Sequence, residues 1–267
     1  MFKDIREFYK NESKLTLAIY LFLRFLIIVC MVLEIIRGNW NNVFLCVLTL
    51  VLYLIPYLID RKLNIDLPST LDIIILLFIF SAEILGEIQN FYGIIPYWDT
   101  ILHTINGFLC AAIGLSLIDI LNRSKNIGIN LSPIFVSIVA FCFSMTIGVL
   151  WEFFEYGFDK TLNLDMQKDS IVSSISSVSL NQDGKNIPVT ISNINETQIY
   201  STDKNNNFIK TTIPNGYLDI GLNDTMNDLL VNFIGAFVFS VLGFFYIKNR
   251  DKYSFLNNFI PKAKEKS

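Results

Sequence analysis

Six long apolar runs constrain the fold of this 267-residue chain more than any other feature. They occupy residues 15–36, 40–59, 68–90, 99–121, 131–157 and 224–247. A helix that crosses a bilayer needs about 20 mostly apolar residues, which each run supplies. Only 17% of the residues are charged, too few to cover a soluble protein of this size. The composition therefore excludes a soluble enzyme, a nucleic-acid-binding protein and a secreted disulfide scaffold.

The runs are predicted to be helices, because backbone groups in hydrocarbon must be satisfied within each segment and the alternation of barrel strands is missing. We expect an all-α polytopic membrane protein with six transmembrane helices and a small β-rich extracytoplasmic insertion between helices 5 and 6. Gly107 and Gly235 are small residues within spans, where they permit close helix packing. The predicted divisions are 1–159 (helices 1–5), 160–223 (the insertion) and 224–267 (helix 6 and a cytoplasmic tail).

The insertion differs in composition from the rest of the chain. Its segments IVSSISSVSL, IPVTISNI, TQIYST and FIKTTI are rich in Ile, Val and Thr and partly alternate. Turn-forming pairs such as Asp183-Gly184 and Asn215-Gly216 separate them. This pattern predicts three to five short antiparallel strands.

The distribution of basic residues predicts the orientation, because short cytoplasmic loops carry an excess of Lys and Arg. Fourteen basic residues fall on one side, against Arg37 alone in the short loops of the other. The fourteen are Lys3, Arg6, Lys10, Lys14, Arg61, Lys62, Arg123, Lys125, Lys248, Arg250, Lys252, Lys262, Lys264 and Lys266. Both termini are therefore predicted to lie in the cytoplasm and the insertion outside.

Polar residues then collect in the outer halves of four predicted spans. Each ionisable group costs about 2.5–3.5 kcal/mol of insertion free energy at mid-bilayer, so its presence there indicates a structural or functional role. Their spacings of three, four or seven residues place each set on one helix face. The set comprises Glu83, Glu87, Asp99, His103, Asn106, Glu152, Glu155, Asp159, Asp224, Asp228 and Asn232. Four stripes on the same side predict one shared polar cavity.

Plainer interpretations stay open for single residues. Asp99 and Asp224 open helices, where an N-cap is a sufficient explanation. A lone histidine such as His103 is more often a hydrogen-bonded core residue than a metal ligand. Asp119 lies near a predicted cytoplasmic helix end and is expected to be solvated. The coincidence of four stripes on one side nevertheless favours a functional site.

Three motifs carry a family resemblance. The run Asp99-Thr-Ile-Leu-His103-Thr-Ile-Asn-Gly107, the segment Trp151-Glu152-x-x-Glu155-Tyr156 and the run Asp224-Thr-Met-Asn-Asp228-x-x-x-Asn232-x-x-Gly235-Ala236 together resemble the YjdF-type family of bacterial inner-membrane proteins. The D-x-x-x-H and D-x-x-x-N-x-x-G-A runs are more distantly similar to the VanZ-like family, although the Arg that usually precedes the Asp motif there is missing. The resemblance implies a bacterial cytoplasmic membrane and one common residue set. It implies no reaction.

The residue types favour a metal-dependent hydrolase or transferase that acts on a lipid-linked substrate at the outer leaflet. Carboxylates with one imidazole and one amide suit Mg²⁺ or Mn²⁺ better than Zn²⁺. The predicted metal ligands are His103, Glu155, Asp224, Asp228 and Asn232. The predicted catalytic residues are His103, Asp99 and Glu152, with His103 as ligand or acid/base.

Two other functions stay open. An ion- or proton-coupled transporter also uses intramembrane carboxylates and histidine, but it needs polar groups on both sides of the midplane. A non-catalytic membrane protein that binds a partner through the insertion is the other. The expected surroundings are the lipid bilayer, with no nucleic acid, and the sequence leaves the oligomeric state open.

The orientation can be tested by cysteine labelling in intact cells. An impermeant thiol reagent added outside should modify a cysteine at Ser201, in the insertion, and should leave one at Ser124 unmodified. The opposite pattern would reverse the topology and move the polar site to the cytoplasmic side.

Overall fold

A computed structural model describes residues 13–63, 65–123 and 130–263 of the chain. Several residues that entered the topology argument lie outside this part of the chain, namely Lys3, Arg6, Lys10, Ser124, Lys125, Lys264 and Lys266.

Helices dominate the described residues. They are α1 (Lys14–Arg37), α2 (Trp40–Leu52), α3 (Ile55–Leu63), α4 (Ser69–Phe80), α5 (Phe91–Ile94), α6 (Trp98–Arg123), α7 (Pro133–Leu162) and α8 (Leu222–Lys248). A π-helix, Ser81–Ile88, continues α4, and short 3₁₀ turns cover Val178–Leu180 and Ser254–Asn258. The predicted all-helical architecture of the apolar runs is thereby confirmed.

Five helical stretches of the described chain are long and apolar enough to cross a membrane. They are α1, Trp40–Ile59, α6, α7 and α8. The third predicted span corresponds to α4 and the π-helix, where the change of hydrogen-bond register at Ser81 divides the segment. A sixth crossing at 68–90 stays a prediction.

The chain forms two compact units, one of residues up to Phe153 and from Asp228 onwards, the other of Phe154–Asn227. The first unit holds two apolar clusters. One joins α1, α2, α4 and the π-helix around side chains such as Ile27, Cys46 and Leu76. The other joins α6, α7 and α8 and positions the polar residues described below.

After α8 the chain folds back onto the bundle. Strand β8 (Lys262–Ala263) pairs antiparallel with β1 (Ile65–Asp66), and Arg250 donates to both carboxylate oxygens of Asp119 at 2.7 and 2.9 Å. Asp119 is 5% exposed, so the expectation that it is solvated is wrong. Local sequence could not show this contact, because 131 residues separate the partners.

The second unit contains six short strands between residues 170 and 219. They are β2 (Ser170–Val172), β3 (Ile175–Ser177), β4 (Val189–Ile191), β5 (Glu196–Thr202), β6 (Phe208–Pro214) and β7 (Tyr217–Asp219). They pair antiparallel as β2–β7, β3–β4 and β5–β6. The predicted antiparallel pairing is correct, but the number of strands was underestimated. IVSSISSVSL forms two strands with different partners, and β7 lies outside the four predicted segments.

The β5–β6 turn shows how local chemistry shapes the insertion. Asp203 Oδ1 accepts hydrogen bonds from the backbone N–H groups of Asn205 and Asn207, both at 2.8 Å. The Asn207 side chain, which donates to Asp203 Oδ2, is the main reason that the pKa of Asp203 lies below its ordinary value. Asn206 takes the left-handed conformation at φ 62°, as a short polar residue can.

The end of the β2–β7 ladder is a suitable point at which to shorten the insertion. Val172 and Tyr217 are its last register partners, so replacing residues 173–216 by Asn-Gly should close it with a two-residue hairpin turn. The shortened chain should accumulate in membranes and melt in detergent close to the full-length protein. A matched deletion of 170–219 also removes the ladder and should melt lower. Failure of the 173–216 deletion to accumulate would show that the distal strands are needed for folding.

Candidate functional site

His103 lies on α6 within a group of carboxylates from three helices. Its Nε2 is 3.4 Å from Oδ1 of Asp99, one turn earlier, and 3.9 Å from Oδ2 of Asp228 on α8. Its Nδ1 is 3.9 Å from Oε1 of Glu152 on α7. His103, Glu152 and Asp228 are buried, and Asp99 is half-buried. Four residues predicted from sequence spacing alone therefore meet in the first unit; we call them the His103 group.

Three members of the His103 group have the spacing of metal ligands. Asp99, His103 and Asp228 each offer one ligand atom, and these atoms lie within 4.8 Å of one another. Two ligand atoms bound to one ion at about 2.1 Å lie roughly 3–4 Å apart, so the contacts at Nε2 are of the right size. Glu152 faces the other ring nitrogen. A carboxylate in that position orients a ligating imidazole and fixes its tautomer.

An amide pair lies one turn further along the same two helices. Asn106 Nδ2 donates to Oδ1 of Asn232 at 3.1 Å, and Asn232 is 1% exposed. Asn106 follows His103 by three residues, and Asn232 follows Asp228 by four, so the pair lies about one turn beyond both His103 and Asp228. Asn106 was placed in the polar stripe but given no role, and this spacing was the available signal. Metal ligation by Asn232 stays a prediction.

Glycines set how closely the helices approach here. A Cβ on Gly107 would lie 2.1 Å from the backbone oxygen of Asn232, and one on Gly235 would lie 2.0 Å from that of Thr104. Both are impossible contacts, so α6 and α8 touch backbone to backbone. Gly148 of α7 faces the Asn232 side chain, where a Cβ would lie 2.6 Å from Nδ2. This close crossing confirms that small residues permit tight packing.

Two predicted site carboxylates bind backbone amides of the insertion. Asp159 accepts from the N–H groups of Met166 and Gln167 at 2.7 and 2.8 Å. Asp224 Oδ2 accepts from the N–H of Lys168 at 2.6 Å. The second unit thus anchors its first loop to the helix ends through these two side chains. Sequence reasoning missed this role, although an acidic residue beside a helix end was the signal.

Glu155 also belongs to the second unit. It lies on α7, three residues after Glu152, and is buried. Metal binding by Glu155 and Asp224 stays a prediction, as do the catalytic roles of His103, Asp99 and Glu152.

The predicted acidic residues of the third span lie on the π-helix. Glu83 is 2% exposed there, and Glu87 follows one turn later. Trp98, the residue before Asp99, donates its indole N–H to the carbonyl of Ser81 at 3.3 Å. The π-helix therefore packs against the start of α6. A π-helical segment is rare and often marks a functional site, but its register could not be predicted from apolar spacing.

Apolar membrane-length helices and a buried histidine–carboxylate group define a multi-pass membrane protein with a buried polar cluster. The chain belongs to the family described as "Predicted membrane protein (DUF2238)", whose model matches residues 18–249. The YjdF-type resemblance of the three motifs is consistent with that family.

An uncharacterised protein of Thermotoga maritima is 27% identical over 107 residues. The match covers 40% of this chain and 53% of the relative, so it spans about half of that protein's length. No solved structure matches the chain.

The close backbone contact at Gly235 can be tested with a matched pair of substitutions. Gly235→Ala should lower the melting temperature in detergent, because overpacking of this kind costs about 1–3 kcal/mol, more than the gain in helix propensity. Gly157→Ala on α7 has open space at its Cβ, so it should leave stability unchanged or raise it by up to about 1 kcal/mol. Equal effects of the two changes would contradict a backbone contact at Gly235.

Proposed function

We propose that this protein is a metal-dependent hydrolase or transferase that acts on a lipid-linked phosphate. Asp99, His103 and Asp228 hold one divalent cation, and Glu152 orients the imidazole. The convergence of Asp99 and Asp228 on Nε2, with Glu152 on Nδ1, carries the proposal. A cation also offsets the repulsion that buried carboxylates exert on one another.

The donor set favours Mg²⁺ or Mn²⁺. Two carboxylates with one imidazole resemble hard-cation sites more than zinc sites, which use more histidine or cysteine ligands. Asn232 would add an oxygen ligand, as its residue type suggests, and ligation by Glu155 and Asp224 stays a prediction from the sequence. Of the two ions, Mn²⁺ tolerates an imidazole ligand more readily.

The cation supplies the chemistry that this reaction class needs. When bound, it would polarise a phosphoryl oxygen and lower the pKa of a bound water. Attack on phosphorus by that water, or by an acceptor hydroxyl in its place, would break the bond from phosphorus to the leaving oxygen. The carboxylates of the His103 group cannot themselves attract a phosphate, so the cation also serves as its electrostatic partner. A substrate with a lipid tail fits helices whose outer surfaces are apolar.

Thermal melting in detergent tests the cation site. A bound ion stabilises the wild type by ~2.7 kcal/mol at 100 times its Kd, so Mn²⁺ or Mg²⁺ should raise the melting temperature and chelation should lower it. His103→Ala and Asp228→Asn should abolish this response, and Glu152→Gln should weaken affinity by about 10–100-fold. Glu155→Gln tests whether that residue is a further ligand. Asp183→Asn, an exposed carboxylate of the insertion, is the matched control.

If the protein is instead a proton-coupled transporter, Asp228→Asn should change its stability in the opposite direction. Without a cation, Asp228→Asn removes one of several buried charges that repel one another, so it should stabilise the protein. The melting temperature of the wild type should then be unchanged by metals and chelators. If only Zn²⁺ stabilises the protein, the choice of ion is wrong but the site is not. Release of inorganic phosphate from a lipid diphosphate in mixed micelles, lost in Asp228→Asn and kept in Asp183→Asn, tests the reaction itself.

A further inference from the structure

The segment that follows α8, residues 249–263, is built into the bundle. Leu256 and Ile260 are 0% and 3% exposed. They pack in one apolar cluster with buried residues of three helices, namely Ala111, Ala112, Leu115, Val136, Ala140, Ala236, Phe239 and Tyr246. We call residues 249–263 the C-terminal segment.

An aromatic layer lies between this segment and the His103 group. Phe108 of α6 makes edge contacts with Phe239 of α8, at 4.7 Å between ring centroids, and with Phe259 of the C-terminal segment, at 5.8 Å. Phe108 follows His103 by five residues, or roughly 7.5 Å along the helix axis. Apolar rings therefore lie in the helix interior below the polar residues, and the C-terminal segment contributes one of them.

The two ends of the segment are held differently. At its start, Arg250 makes the two hydrogen bonds to buried Asp119 and lies over the ring of Tyr246, 4.9 Å from the centroid. Tyr246 also donates to Asn257 at 2.9 Å. At its far end, the short β1–β8 pairing, Ile65↔Ala263 and Asp66↔Lys262, joins the segment to the chain before α4, and β8 also lies against α6.

We infer that the C-terminal segment is a movable floor that closes the His103 group from the side of the membrane that carries Lys252, with the Asp119–Arg250 pair as its latch. While the floor is in place, the polar site opens to the opposite side alone. The buried Leu256 and Ile260, the ring of Phe259 and the charged pair together make the seal. The inference does not depend on the reaction, because it is argued from the packing of the C-terminal segment and is tested by access to Cys110 rather than by turnover.

Cys110 is a native probe for this seal. Its Sγ lies 3.5 Å from Oδ1 of Asn106, so it sits on the site-facing side of α6, below the amide pair. A full-length chain with Cys30, Cys46 and Cys142 changed to Ala is reconstituted in sealed vesicles and treated with an impermeant maleimide. Peptide mass spectrometry reads modification at Cys110, and a separate Lys252→Cys chain reports which vesicles expose the segment.

Cys110 should react slowly from the Lys252 side in the otherwise unchanged chain. The double variant Asp119→Asn/Arg250→Gln, which leaves no unpaired buried charge, should react about tenfold faster, the change in an opening equilibrium that roughly 1.4 kcal/mol produces. Adding the register pair Asp66→Cys/Lys262→Cys should restore slow labelling when oxidised and lose it when reduced. Lys185→Gln, which removes an exposed ion pair, is the control and should change nothing.

Two results would overturn the inference that the C-terminal segment closes the His103 group from one side. One is fast labelling of Cys110 from the Lys252 side with the segment intact, and the other is equal rates with the latch present, removed or cross-linked. If the Asp119→Asn/Arg250→Gln variant does not accumulate, amide hydrogen exchange is measured instead on the chain in which Asp119 and Arg250 are unchanged. Residues 254–260 should then exchange faster than the middle of α8 and slow markedly on oxidation of the Asp66→Cys/Lys262→Cys pair. Exchange as slow as α8, or unchanged by oxidation, would show a fixed core element.

Discussion

The backbone contact between α6 and α8 is the constraint on which the polar residues depend. Because Gly107 and Gly235 have no side chains, the two helices approach closely enough for each glycine to touch the opposite backbone. The amide pair and then the His103–Asp228 contact follow at successive turns from this point. The distance between His103 and Asp228 is therefore set by helix packing rather than by mobile loops, as a pre-organised site requires.

Acidic residues that look alike in the sequence serve three physical purposes. Asp99 and Asp228 face the imidazole of His103 in the first unit. Asp159 and Asp224 satisfy backbone amides of the insertion. Asp119, itself buried, pairs with the half-buried guanidinium of Arg250. Burial alone does not identify function, because a carboxylate removed from water needs partners in every case.

Sequence predicted the features that depend on local periodicity. The run 99–121 became α6 over Trp98–Arg123, because apolar length fixes a membrane helix, and the four-residue spacing placed Asp99 beside His103. Orientation of successive spans then predicted that Asp228 would come close. The π-helix, the divided strands and the return of the C-terminal segment to Asp119 could not be predicted, because each depends on packing between residues far apart in the chain.

The return of the chain to Ile65 and Asp66 has a consequence for biogenesis. A protein is synthesised from its amino end at about 5–20 residues per second, so the fifteen residues 249–263 follow α8 by roughly one to three seconds. During that interval α6, α7 and α8 lack Leu256 and Ile260, which complete their shared apolar cluster. The cluster is thus completed only after residues 249–263 have been translated, and a chain released before them exposes apolar surface that quality-control proteases can recognise.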